Sequence, residues 1–148
     1  MSHELALIGT IGLKLGAAYL LALPVAWNRE RQAQSAGLRT FPLVAISAAG
    51  YVLVAQSVFS GSPDAQSRVL QGLLSGMGFI GGGAILRVRH AVHGTATAAS
   101  LWGTAAIGVA CAYGNYEVAI ALTILTFVTL LVMSRLKVTV EDESNPLS

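Results

Sequence analysis

The stretch GMGFIGGGAIL, Gly76–Leu86, decides what kind of protein this is. Its glycines fall at the spacing G-x-G-x-x-G, which in a soluble enzyme marks the turn that cradles a dinucleotide pyrophosphate. That turn has physical conditions: a strand before it, a helix opened by it, and an acidic residue about 20 positions later for the ribose. Here RVLQGLLS precedes the glycines, and only AIL and RVRH follow before the chain turns polar. The next acidic residue is Glu117, far beyond the required spacing. The nucleotide reading fails on its context, and no cofactor is expected.

The rest of the chain supplies the other reading. Of its 148 residues, 54% are hydrophobic and 11% charged, against roughly 25% charged in soluble domains. Mean hydropathy is +0.66. The charges are bunched, and long intervals between them are nearly empty, which is the composition of an integral membrane protein. The single cysteine, Cys111, excludes an internal disulfide framework. A net charge of +2 gives no footprint for nucleic acid.

A helix needs about 20 mainly apolar residues to cross the hydrocarbon. Five segments serve: Leu5–Trp27, Thr40–Phe59, Val69–Leu86, Thr95–Tyr113 and Tyr116–Ser134. The expected fold is an all-α integral membrane bundle of about five transmembrane helices, packed around the third, with no β-sheet. Residues 1–137 form the transmembrane domain and 138–148 a short polar tail. The N-terminus lacks the basic region of a removable signal peptide.

Arg29, Arg31 and Arg39 lie in the first connection, Arg87 and Arg89 in the third, and Arg135 and Lys137 after the fifth span. The opposite connections hold only Arg68. By the positive-inside rule the N-terminus is outside and the C-terminus cytoplasmic. Within a helical third span, Gly72, Gly76 and Gly83 lie near one stripe, and Gly78 and Gly82 on another. Small-xxx-small spacings let membrane helices approach until backbones touch, and Gly12 and Gly16 repeat the spacing in the first span. Such glycine density also weakens a helix and permits a break lining a polar cavity.

Several stretches then fall into order: NRERQAQSAGLRTFPLV, Arg68, SGMGFIGGGAILR, GTATAASLW and AAIGVACAYG. Together they resemble the membrane domain of the MgtC/SapB family, from about Lys14 to Ser134. The chain departs from the family's usual pattern at Ala26, Asn28, Val88, His90, His93, Thr95 and Ala96. The resemblance implies a five-span protein of the bacterial inner membrane. It also implies a link to growth at low magnesium and to survival inside host phagocytes. Some members act on other membrane machinery, including the F-type ATP synthase. Only RLKVTVEDESNPLS follows the last span, so activity resting on the soluble C-terminal domain of some members is not expected.

Charge pattern and motifs together nominate Lys14, Arg29, Glu30, Gly37, Arg39, Thr40, Arg68, Gly76, Gly78, Gly81, Gly83, Gly94, Thr97 and Trp102 as functional or structural candidates. Arg29, Glu30, Arg31 and Arg39 form the densest charged patch. Topology alone accounts for basic residues there; a recognition surface, with Arg39 tied to Glu30 or to the glycine-rich helix, is the sharper reading. Ala36-Gly37 reads as a turn, with Pro42 tolerated in the first turn of the next span. Arg68 either snorkels or pairs with Asp64 or Glu117. His90 and His93 alone make a poor metal site. Ser75, Ser100 and the threonines of the last two spans read as interhelical hydrogen-bonders, and Trp102 as a packing residue.

Lys14 lies nine residues into its span, near mid-bilayer, where a charge costs about 3 kcal/mol even on the lenient insertion scale. It either snorkels from a span that begins later, or anchors the first helix to the glycine-rich third through carbonyls near Gly76–Gly83, Gln71 or Ser75. The resembled family often carries an arginine at that place.

No nucleophile stands beside a base, no carboxylates are paired, and there is no H-E-x-x-H, so an enzyme is not expected. Two functions remain. One is a regulatory membrane module acting through contacts with other membrane proteins and with itself, most simply as a two-fold homodimer. The other is a magnesium or other cation transporter or channel working as an oligomer. Cation transport favours an acidic residue near mid-membrane, and the sequence places none there, which favours regulation.

Overall fold

The computed structural model describes the backbone of residues 2–32, 36–88 and 91–143. Apolar length dictates helix here, because a backbone in lipid must satisfy its own polar groups. Five helices result: α1 (Ser2–Gln32), α2 (Thr40–Val58), α3 (Pro63–Gly83), α4 (Thr95–Tyr113) and α5 (Tyr116–Glu143). Four of them, α1, α2, α4 and α5, are long and apolar enough to cross a membrane. α3 is long enough, but Asp64, Gln66, Arg68 and Gln71 dilute its first half and glycines its second. The all-α membrane bundle expected from the sequence is the fold observed.

The bundle is organised around α4, not around the glycine-rich third helix: α1, α2, α3 and α5 all pack on it. The reason is side-chain size. α4 buries Ala98, Leu101, Thr104, Ala105, Gly108, Cys111 and Ala112, and α2 meets it with Ala45, Ala48, Ala49, Val52 and Ala55. Small residues on both helices let the main chains touch, so that dispersion supplies the attraction lipid cannot. The closest approach is at Gly108, where a Cβ would fall 2.1 Å from the Ala45 carbonyl oxygen. α1 joins this core through Ala18, Ala22, Val25 and Ala26. The Thr123 hydroxyl of α5 donates to the Leu21 carbonyl across the interface at 3.1 Å and to Ala119 in its own helix at 2.9 Å.

α3 is a peripheral helix that touches α2 and α4 and buries only Met77 and Gly81. It is continuous through its glycines, so neither the expected break nor the expected close packing is present within the chain. A Cβ at Gly72, Gly76, Gly78, Gly82 or Gly83 would meet nothing within 4 Å; only Gly81 touches a neighbour, Ala98 of α4. Gly12 and Gly16 of α1 are equally free. The third helix also ends earlier than expected. Residues 86–93 include a two-stranded antiparallel sheet, contrary to the expectation of none: β1 (Leu86–Val88) pairs with β2 (Ala91–His93), Arg87 opposite Val92. The run Ala-Ile-Leu reads as a continuing span in sequence, but Ala84 already caps α3.

Candidate functional site

The antiparallel helices gather the basic residues at one end of the bundle, formed by the C-terminus of α1, the N-termini of α2 and α4, and the β-hairpin. The turn that joins α1 to α2 depends on Glu30 and Gly37. The Glu30 carboxylate accepts the Leu38 N–H at 2.9 Å, and Phe41 N–H bonds back to the Gly37 carbonyl at 3.1 Å. A Cβ on Gly37 would fall 2.0 Å from Glu30 Oε2 and 2.8 Å from its Cα. Glycine is therefore required by close approach, and Glu30 is spent on the backbone rather than on Arg39. Arg39 instead stands with Thr40 at a cavity of about 700 Å³ between α2 and α3, lined further on by Ser47, Tyr51, Gly72 and Gly76. Arg39 and the glycine-rich helix thus line one cavity, and among the described residues Arg39 makes no ion pair with Glu30.

Arg31 projects outward and stacks over the Trp27 ring, 4.8 Å from its centroid. Arg29 turns inward and is 6% exposed. Its Nη2 donates to Asn28 Oδ1 at 3.1 Å and to Gln32 Oε1. Among the described residues its Nε is buried without a partner. Arg29 lines a second cavity, of about 570 Å³, between α1, α4 and α5.

Gly94 links the hairpin to α4 at φ +84°, and a Cβ there would sit 1.9 Å from the Ala84 carbonyl oxygen. Both the left-handed conformation and the close approach demand glycine. Thr97, in the first turn of α4, is buried. Ser100 and Thr104 donate to carbonyls of their own helix, Ala96 and Ser100, rather than between helices, while Ser75 is exposed. Trp102 is half exposed and lines a cavity between α3, α4 and α5 rather than packing in the core. His93 is exposed on β2, and His90 lies outside the described residues. Among the described residues no group of three metal-ligating side chains occurs.

At the other end, Lys14 Nζ donates to the Ala112 carbonyl of α4 at 2.7 Å. The expected anchor onto the third helix is thus replaced by an anchor onto the fourth. α1 has 31 residues, about 46 Å at ~1.5 Å per residue, and Lys14 is level with the last turn of α4. Its depth is that of a helix end, where the C-terminal carbonyls carry partial negative charge. Gly114 and Asn115 N–H groups cover the Ala110 and Cys111 carbonyls, and Lys14 covers the next one. Arg68 is exposed and makes no ion pair with Asp64 or Glu117 among the described residues.

The contact that sequence reasoning missed is Ala45–Gly108. Its signal was present in the four-residue spacings Ala45, Ala49 and Thr104, Gly108, Ala112. The denser glycines of α3 drew the reading away from it.

Comparison with known proteins agrees with these motifs. Residues 15–139 match the MgtC family. The chain is 42% identical to Protein MgtC of Salmonella typhimurium strain LT2 over 113 residues, covering 76% of this chain and 48% of that protein. It is 42% identical to Protein MgtC of Brucella abortus over 100 residues, 68% of this chain and 41% of the relative. With Protein SrpB of Synechococcus elongatus it shares 34% identity over 139 residues, 86% of this chain and 76% of the relative. The chain spans about half the length of the MgtC relatives it matches. No solved structure matches it. By its motifs, its span pattern and a match over most of its length, the chain belongs to the MgtC family.

Proposed function

We propose that this protein is a regulatory component of the bacterial inner membrane that acts by binding other membrane proteins and a second copy of itself. Its arginine-rich end faces the cytoplasm, as the positive-inside rule requires. Adaptation to magnesium limitation is its setting, extended from the family, and an F-type ATP synthase is a candidate partner. The observation that carries the reading is the uncovered glycines of α3: Gly72, Gly76 and Gly83 on one stripe and Gly78 and Gly82 on another have open space beside them, which lets another membrane helix approach to backbone contact. The core offers little for the alternative, a magnesium or other cation pathway. Glu30, Asp64 and Glu117 are exposed near helix ends, away from the middle of the bundle where a cation would need a counter-charge.

Gly76→Leu tests this reading, because a Cβ there meets nothing within 4 Å and the rest of the side chain enters open space beside α3. The variant should accumulate and melt like the parent, yet fail to support growth in limiting magnesium of a host lacking its own copy. Growth equal to that with the parent protein would overturn contact through α3.

A further inference from the structure

The cavity between α1, α4 and α5 holds an arrangement that the contacts described so far do not account for. Arg29 is 94% buried by its 6% exposure, and both its hydrogen bonds among the described residues go to neutral amide oxygens, Asn28 Oδ1 and Gln32 Oε1. Among the described residues no carboxylate lines the cavity, and the Nε donor has no partner. A buried cation without a counter-charge is costly, and it favours an oxyanion beside it. The same cavity includes Ala96 and Ala99 in the first turns of α4. That helix begins at Gly94 without a side-chain cap, so its dipole adds positive potential at the cavity wall. Thr126 and Thr129 supply hydroxyls, and Leu125, Leu130 and Met133 an apolar flank.

We infer that this cavity is a phosphate-binding site, with the uncompensated positive charge of Arg29 holding the anion. The apolar flank on α5 suits the glycerol and first methylenes of an anionic phospholipid; a soluble phosphate would occupy only the polar half. The volume, about 570 Å³, accommodates either. The site is independent of how α3 docks, so its failure and that of the proposed function are separable.

Native mass spectrometry of the full chain, released from zwitterionic detergent, tests the inference. One arm adds phosphatidylglycerol, one phosphatidylcholine, and one inorganic phosphate. Phosphatidylglycerol or inorganic phosphate should bind and raise the melting temperature, and phosphatidylcholine should do neither. Arg29→Gln should weaken binding about 10- to 100-fold, the loss of a charged hydrogen-bonding pair, while the exposed Arg31→Gln should bind like the parent. Thr129→Trp, which fills the cavity with Arg29 in place, should also abolish binding and guards against a misfolded Arg29 variant. Selective protection by the lipid identifies a headgroup; protection by inorganic phosphate identifies a soluble source. Equal retention by Arg29→Gln and the parent, or equal binding of phosphatidylcholine and phosphatidylglycerol, would overturn the site.

Discussion

Gly108→Ala should destabilise the centre of the bundle even though it adds one methyl group. In the folded chain that methyl would stand 2.1 Å from the Ala45 carbonyl oxygen, 2.9 Å from its carbon and 3.1 Å from its Cα. All three atoms are main chain, so no rotamer change relieves the clash, and α2 must retreat from α4 by about 1 Å, an overpacking that costs about 1–3 kcal/mol. The retreat also loosens Ala49 and Val52 against Ile107 and Cys111, because a gap of that size forfeits up to about half of each dispersion contact. Against this, alanine gains up to ~1 kcal/mol of helix propensity over glycine. The net expectation is a loss of about 1–2 kcal/mol, read by reversible unfolding in mixed micelles. Gly76→Ala is the internal control: nothing lies within 4 Å of its Cβ, so the same substitution should leave stability unchanged or raise it slightly. A Gly108→Ala protein as stable as Gly76→Ala would refute the claim that α2 and α4 touch through their backbones.

Lys14→Met should cost about 1.5–3 kcal/mol, the range for a hydrogen bond to a charged group, and Lys14→Arg should recover most of it; a thermal series in detergent separates the two. Gly94→Ala should destabilise more than Gly37→Ala, since the first violates both backbone conformation and space and the second only space; melting temperatures of the two variants settle the order. Gly82→Leu should dissociate oligomers without unfolding the protomer, whereas Ala84→Leu should do so less; light scattering in mild detergent reads both.

The helices were legible because a membrane leaves an apolar run few alternatives, and the limits of α4 follow directly from Gly94 and Gly114. The packing was less legible, for a reason the glycines make plain. GMGFIGGG and Thr104-xxx-Gly108 are both small-residue signals, yet nothing local says whether the facing surface belongs to the same chain. The first faces open space and the second faces Ala45. Lys14 posed a similar problem: its partner depends on how far α1 slides along α4, and only the assembled bundle fixes that height. Ala84-Ile85-Leu86 extends the apolar run past the end of α3, and the hairpin fell in what the sequence reads as a basic loop. The Glu30–Gly37 pairing was half legible: the motif marked both residues, but the carboxylate's use on Leu38 N–H needed the turn itself. Arg29 and Arg31 are two positions apart and equally basic in sequence, and only helix phase sends one inward and the other onto Trp27.

The central claim is that this small-residue bundle works by contact rather than conduction. Magnesium uptake into proteoliposomes containing the purified protein alone, followed with an entrapped indicator, tests it most directly. The account predicts uptake equal to that of protein-free vesicles across an imposed gradient. Saturable, protein-dependent entry of magnesium would contradict it and restore the transporter reading.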